Sequence, residues 1–226
     1  MNLKQRLLVL LILLALVGGG FLFWQTKRKS GGTPPSTVET MKPAELARGE
    51  EKFAEPLPGA KLRMTKKPFG LYVTPQKSPV SPERFAGFHT GVDLEVTKAE
   101  EERDVPVYAF CKGNVIDARE VSGYGGVLVT DCSVNGEPVT VLYGHLKFSS
   151  IKEHEKLETL PSSRKIPVVE PGQVIGVLGR GFSAETDGER KHLHFAIHRG
   201  EGFSLRGYVD REEQLAEWMD PVTFLP

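Results

Sequence analysis

At 226 residues the chain has room for one good-sized domain with a tail, or two small domains; 39% apolar and 26% charged residues make a globular rather than a disordered composition. Lys plus Arg equals Asp plus Glu at 29 each, but residues 1–30 hold five bases and no acid, so the remainder is acidic and lacks the basic surface of a nucleic-acid binder. Two cysteines, Cys111 and Cys132, exclude a disulfide-dense mini-domain, a C-x-x-C redox centre and a four-cysteine zinc knuckle.

Residues 1–6 form a short basic N-terminus, and Leu7 to Trp24 is an uncharged run of 18 residues. As a helix it extends about 27 Å, close to the hydrocarbon thickness of a bilayer. A cleavable signal peptide is the competing reading, since Lys4 and Arg6 supply its positive end. The run is long for a signal peptide, has no A-x-A site after it, and ends on Phe21-Leu-Phe-Trp24 followed by Lys27-Arg-Lys29. These features favour an uncleaved transmembrane anchor over residues 7–24. Bases flank both ends, so charge does not orient it. Residues 25–60, with Gly31-Gly-Thr-Pro-Pro-Ser36 and Pro56-Leu-Pro-Gly59, read as a flexible linker with a reach of about 30–36 Å. A short polar helix over Pro43 to Glu55 is the one element expected within it.

Residues 61–226 read as an all-β domain. Candidate strands are Val105–Cys111, Asn114–Ala118, Val127–Thr130, Val139–Tyr143, Gln173–Leu178 and His192–Ile197. Their spacing, with turn signals at Cys111-Lys-Gly-Asn114, Gly123-Tyr-Gly-Gly126 and Asn135-Gly136, is that of an antiparallel sheet or compact barrel. Helix is slight: a charged stretch from Glu153 to Leu160 and an amphipathic segment from Arg211 to Trp218. Gly123-Tyr-Gly-Gly126 and Gly176-Val-Leu-Gly-Arg-Gly181 lack the spacing and the following helix of nucleotide-binding loops, and read as turns.

Chemistry resides in the histidines. In a strand His192 and His194 project to one face while Leu193 and Phe195 go to the other. In Phe88-His-Thr-Gly-Val-Asp-Leu-Glu-Val96, read as one strand, His89, Gly91 and Asp93 share a face, with the glycine leaving space above the pleat. One carboxylate and two imidazoles suit a zinc ion that keeps an open position for water. His145 ends a strand beside Gly144. His154 lies among charges and reads as solvated surface. His198 falls about 13 Å along the strand from His194, at the rim. Tyr143 suits a core position at least as well as one near a metal. Cys111 and Cys132 are either a disulfide, if the domain is external, or buried thiols.

Taken in order, His89-Thr-Gly-Val-Asp93, Pro106-Val-Tyr-Ala-Phe-Cys-Lys-Gly-Asn-Val115, Gly123-Tyr-Gly-Gly126, Tyr143-Gly-His-Leu146, Gly172-Gln-Val-Ile-Gly176 and His192-Leu-His-Phe195 resemble the lysostaphin/LytM-type zinc endopeptidases of bacterial cell walls. The resemblance implies a LytM-type domain with one zinc held by His89, Asp93 and His194. It implies His145 and His192 as the catalytic pair beside the metal water, their division of labour left open. It also implies peptidoglycan peptide as substrate, hence a cytoplasmic N-terminus and an external domain anchored in the membrane. The stretches 147–171 and 181–191 are longer than the family pattern, which often has Gly-Pro before H-x-H, and are expected to border the substrate groove. A non-catalytic wall-binding or hydrolase-activating module of the same fold is the alternative. A carbohydrate-cleaving enzyme would need a carboxylate pair instead.

Overall fold

A computed structural model describes residues 51–151 and 167–226. The expected anchor over 7–24, linker residues 25–50, His154 and the Glu153–Leu160 stretch lie outside the described residues.

Polypeptide rich in Val and broken by glycine forms hairpins here. Strands β5 (Gly113–Val121), β6 (Gly125–Val134) and β7 (Glu137–Leu146) make a meander. Its second turn is the two-residue loop Asn135-Gly136, with φ of 55° and 78°, which matches the twist of paired strands. Strand β10 (His192–Arg199) lies antiparallel against β7. Its other edge pairs with β3 (Val92–Glu95) along its first half and with β12 (Trp218–Met219) further on. With β8 (Val168–Val169) beside β5, these form a seven-stranded antiparallel sheet. Two small sheets flank it: β1 (Tyr72–Val73), β2 (Gly87–His89) and β11 (Tyr208–Val209) in one, β4 (Pro106–Tyr108) and β9 (Val174–Val177) in the other.

The alternation of β10 divides the molecule. Leu193, Phe195 and Ile197, all fully buried, enter the main core with Val141, Tyr143, Leu128 and Phe110. Tyr143 is a core residue; its Oη accepts a hydrogen bond from the Phe110 N–H at 2.8 Å. The opposite face carries His192 and His194, then Ala196, which packs with Tyr124, Val127, Leu142 and Trp218. Cys111 and Cys132 are joined in a disulfide.

Four expectations are corrected. Residues 51–60 are not a tether but pack on the domain: Leu57 and Ala60 are fully buried, Phe53 stacks on Phe110 at 4.6 Å, and the Glu51 carboxylate accepts the N–H groups of Asn135 and Gly136. Residues 51–55 are not helical; among the described residues the one α-helix is the single turn α1 (Ala60–Arg63). Residues 88–96 are two strands, β2 and β3, separated by a bend at Thr90-Gly91. The segment Arg211–Trp218 is a 3₁₀ turn over Glu212–Glu217, because Trp218 leaves it to pair with His198 in the sheet.

Candidate metal centre

Three strands from distant parts of the sequence bring three side chains together. Register places His194 directly opposite Asp93 on one side and Gly144 on the other. The bend after β2 folds His89 back onto the same pair. His89 Nε2 lies 3.0 Å from His194 Nδ1, and Asp93 Oδ1 lies 3.2 Å from each. All three residues are buried.

Proton bookkeeping shows what this triangle requires. His89 Nδ1 lies 3.1 Å from the Pro68 carbonyl, to which it donates, leaving the Nε2 lone pair facing inward. Asp93 Oδ1 brings only lone pairs when ionised. Burial pushes the His194 ring down to about 4, so it is neutral at pH 7, and its Nε2 has no partner among the described residues. The three ligand atoms, one from each residue, converge at 3.0–3.2 Å, a set that could hold a metal ion. The edges of a tetrahedron built with His and Asp bonds of about 2.0–2.2 Å are about 3.3–3.5 Å, so the donor set fits a small divalent metal ion. The hydrogen bond at His89 Nδ1 fixes its ring and tautomer, as outer partners of metal-binding histidines do.

Two glycines make the convergence possible. A Cβ at Gly91 would sit 2.5 Å from the Phe195 carbonyl oxygen and 3.1 Å from the His194 ring. Contrary to the open space expected above it, Gly91 is covered by β10, which is how His194 comes so near. A Cβ at Gly144 would lie 2.5 Å from the Tyr124 ring. Gly91→Ala is expected to destabilise the fold by about 1–3 kcal/mol through overpacking, lowering the urea midpoint. An unchanged midpoint would contradict this packing.

Around the cluster is a cavity of about 240 Å³, lined by Asp93, His192 and His194 together with Phe85, Tyr124, His145, Leu205 and Tyr208. The His145 and His192 rings stand side by side, centroids 4.2 Å apart. Burial, helped by the neighbouring His192, holds His145 well below the ordinary imidazole value, and its Nδ1 lacks a partner among the described residues. His192 Nδ1 is 2.8 Å from the Arg190 carbonyl and its Nε2 3.3 Å from Asp93 Oδ2, so both ring nitrogens face oxygen acceptors. Burial works against a charged Asp93, but the His192 and His89 imidazoles and hydrogen bonds from His192 and His194 outweigh it and hold the carboxylate well below its usual range. Burial, with the Asp93 charge adding to it, keeps the Tyr124 and Tyr208 phenols protonated.

The five residues singled out from sequence are thus in one place. His198 is not: its ring packs edge-on to Trp218. The 181–191 segment borders the cavity through Glu189 and Arg190 as expected, and is ordered by its own bonds, the buried Thr186 hydroxyl donating to the Glu189 carbonyl at 2.7 Å. Sequence reading missed Arg190, although strand parity with His192 and His194 points to it. It also missed a buried ion pair, Lys67 Nζ to Glu83 at 2.6 Å, whose ammonium donates to Tyr208 Oη at 2.8 Å.

A mostly β domain with a His–Asp–His cluster beside a cavity that Asp93 and His194 line is the class these observations define. The profile of peptidase family M23 matches residues 87–204, just over half of the chain, and the chain belongs to that family. The likeness read from the order of the motifs agrees with this assignment. Similar solved structures include LytU, 23% identical, with 72% of this chain and 83% of that one covered and a TM-score of 0.44. A protein described as a glycyl-glycine endopeptidase LytM, from Ruminococcus gnavus, is 21% identical over 50% of this chain and 41% of its own, TM-score 0.35. A protein described as a peptidase M23, from Pseudomonas aeruginosa, is 21% identical over 65% of this chain and 49% of its own, TM-score 0.31. No curated protein matches the chain.

Proposed function

We propose that the protein is a zinc endopeptidase that hydrolyses peptide bonds in the cross-links or stem peptides of peptidoglycan. The apolar stretch 7–24 holds it at the cell membrane, with the domain outside. The observation that supports this most is the triangle of ligand atoms on His89, Asp93 and His194, whose types and spacing suit a zinc ion. A zinc ion held there supplies a Lewis acid that polarises the scissile carbonyl and acidifies water.

The protein's own groups supply the proton transfers. His145, kept neutral by burial, takes a proton from the attacking water as its oxygen bonds to the carbonyl carbon. His192, with an oxygen acceptor facing each ring nitrogen, serves as the donor and protonates the amine nitrogen as the C–N bond breaks. The two rings are adjacent, so the proton gained by one restores the other. The neutral phenols of Tyr124 and Tyr208 are hydrogen-bond donors at the cavity wall.

Full-length protein in detergent, incubated with purified sacculi, is expected to release peptide-bond fragments identifiable by mass spectrometry. Chelator should stop release and added zinc restore it. Release that is indifferent to chelator would overturn the zinc reading. Binding to sacculi without any fragments from zinc-loaded protein would instead assign a non-catalytic wall-binding module.

A further inference from the structure

Asp93 and Glu95 lie two residues apart on β3, so their carboxylates share a face of the strand. Between them lies one guanidinium. Arg190 Nη2 donates to Asp93 Oδ2 at 2.8 Å and to Glu95 Oε1 at 2.5 Å, while its Nε reaches both Glu95 oxygens at 3.1 Å. The side chains of Arg190, Glu95 and Asp93 are 12%, 11% and 2% exposed, so the three form a largely dry array. Glu95 is further held by Lys66 at 3.3 Å.

The Asp93 carboxylate is thereby divided. Oδ1 belongs to the triangle with His89 and His194, whereas Oδ2 is occupied by Arg190 and faced by His192. A free carboxylate rotates about its terminal bond and can offer a cation one oxygen or two. This one is pinned at Oδ2 by a donor that is itself pinned by Glu95.

We propose that Arg190 is a positioning residue of the metal centre: by binding Asp93 Oδ2, and being braced by Glu95, it fixes the carboxylate so that Oδ1 alone is presented to the ion. This rests on the zinc reading above and adds a residue outside the His89–Asp93–His194 triangle that acts on it through Asp93. A lysine at this position keeps the charge but has one nitrogen in place of the guanidinium fork's two, so it cannot hold Glu95 through Nε and Nη2 together while reaching Asp93. The fork, not the charge, is what the geometry uses.

The test compares metal-free full-length wild-type protein with Arg190→Met and Arg190→Lys. Zinc affinity is measured by competition with a chromophoric chelator, and the visible spectrum of each protein is recorded after loading with cobalt(II). Both variants are expected to bind zinc about 10- to 100-fold more weakly, as loss of an outer-shell partner typically does. Their cobalt bands should also lose intensity relative to wild type, because a released Asp93 can coordinate through both oxygens and raise the coordination number. A merely structural role would lower the melting temperature and leave the cobalt spectrum alone. Should Arg190→Met fail to fold, Arg190→Lys decides. Unchanged affinity and spectrum, or full retention by lysine, would overturn the inference while leaving the metal site standing; wild-type protein that binds neither ion would overturn the metal reading itself.

Discussion

His194→Ala protein is expected to emerge from purification without zinc, whereas His145→Ala protein should retain about one ion per chain yet lose activity. The two residues face the same cavity, so proximity alone does not separate them. The difference lies in which atoms meet. His194 Nδ1 is one corner of the triangle, 3.0 Å from His89 Nε2 and 3.2 Å from Asp93 Oδ1. Its removal leaves two donors, too few to hold zinc against solvent. His145 is not part of that triangle; it stands beside His192, and in the proposed mechanism it acts on protons. Removing a general acid or base typically costs about 10²–10⁴ in rate, so kcat for fragment release should fall by that amount at unchanged metal content. Atomic absorption with fragment release on the same preparations checks both halves. Zinc-free His145→Ala protein, or metal-loaded His194→Ala protein, would reverse the roles.

The legible part of this site was the part written in strand periodicity. His192-Leu-His194 with Leu193 and Phe195 on the buried side is an alternation that survives folding intact, because β10 pairs on both edges and cannot slip without inverting its faces. The Asn135-Gly136 hairpin was legible for a similar reason, its turn chemistry being local. What failed was geometry set by contacts across the chain. Residues 88–96 carry a strand-like pattern, yet the backbone bends at Thr90-Gly91, where the Thr90 hydroxyl donates to the Arg206 carbonyl at 2.7 Å and Gly91 lies under β10. Residues 51–60 look like linker by their prolines, but Leu57, Phe53 and Ala60 find apolar partners that no local pattern announces. Tyr208 reaches His89 only because β11 pairs with β2, a register invisible in a two-residue strand. Arg190 is the instructive omission, since counting back by two from His192 reaches it.

Glu83→Ala is expected to destabilise the fold by about 3–5 kcal/mol, the usual effect of leaving one member of a buried ion pair uncompensated. The Lys67 and Glu83 side chains are 2% and 1% exposed with their charged atoms 2.6 Å apart. Glu83 is well satisfied: its oxygens also accept from the Ser78 hydroxyl at 2.7 Å and from the Arg84 and Phe85 N–H groups at 3.0 Å each. Burial opposes its charge, but Lys67, Ser78 and the Phe85 N–H outweigh burial and lower its pKa from the ordinary 4.5. A carboxylate with a depressed folded pKa adds stability that is complete above its unfolded value and fades as pH falls through the folded one. The wild-type advantage over Glu83→Ala should therefore be flat at neutral pH and shrink below about pH 4.5. Urea unfolding at pH 7 and pH 4 measures both. Replacing the two together, as Lys67→Met/Glu83→Met, removes the stranded ammonium and should cost much less than Glu83→Ala alone; equal losses would mean that the packing of these chains, not their charges, holds this wall of the cavity. Because Lys67 also donates to Tyr208 Oη, whose ring lies 5.3 Å from that of His89, activity should fall even in the better-folded double variant.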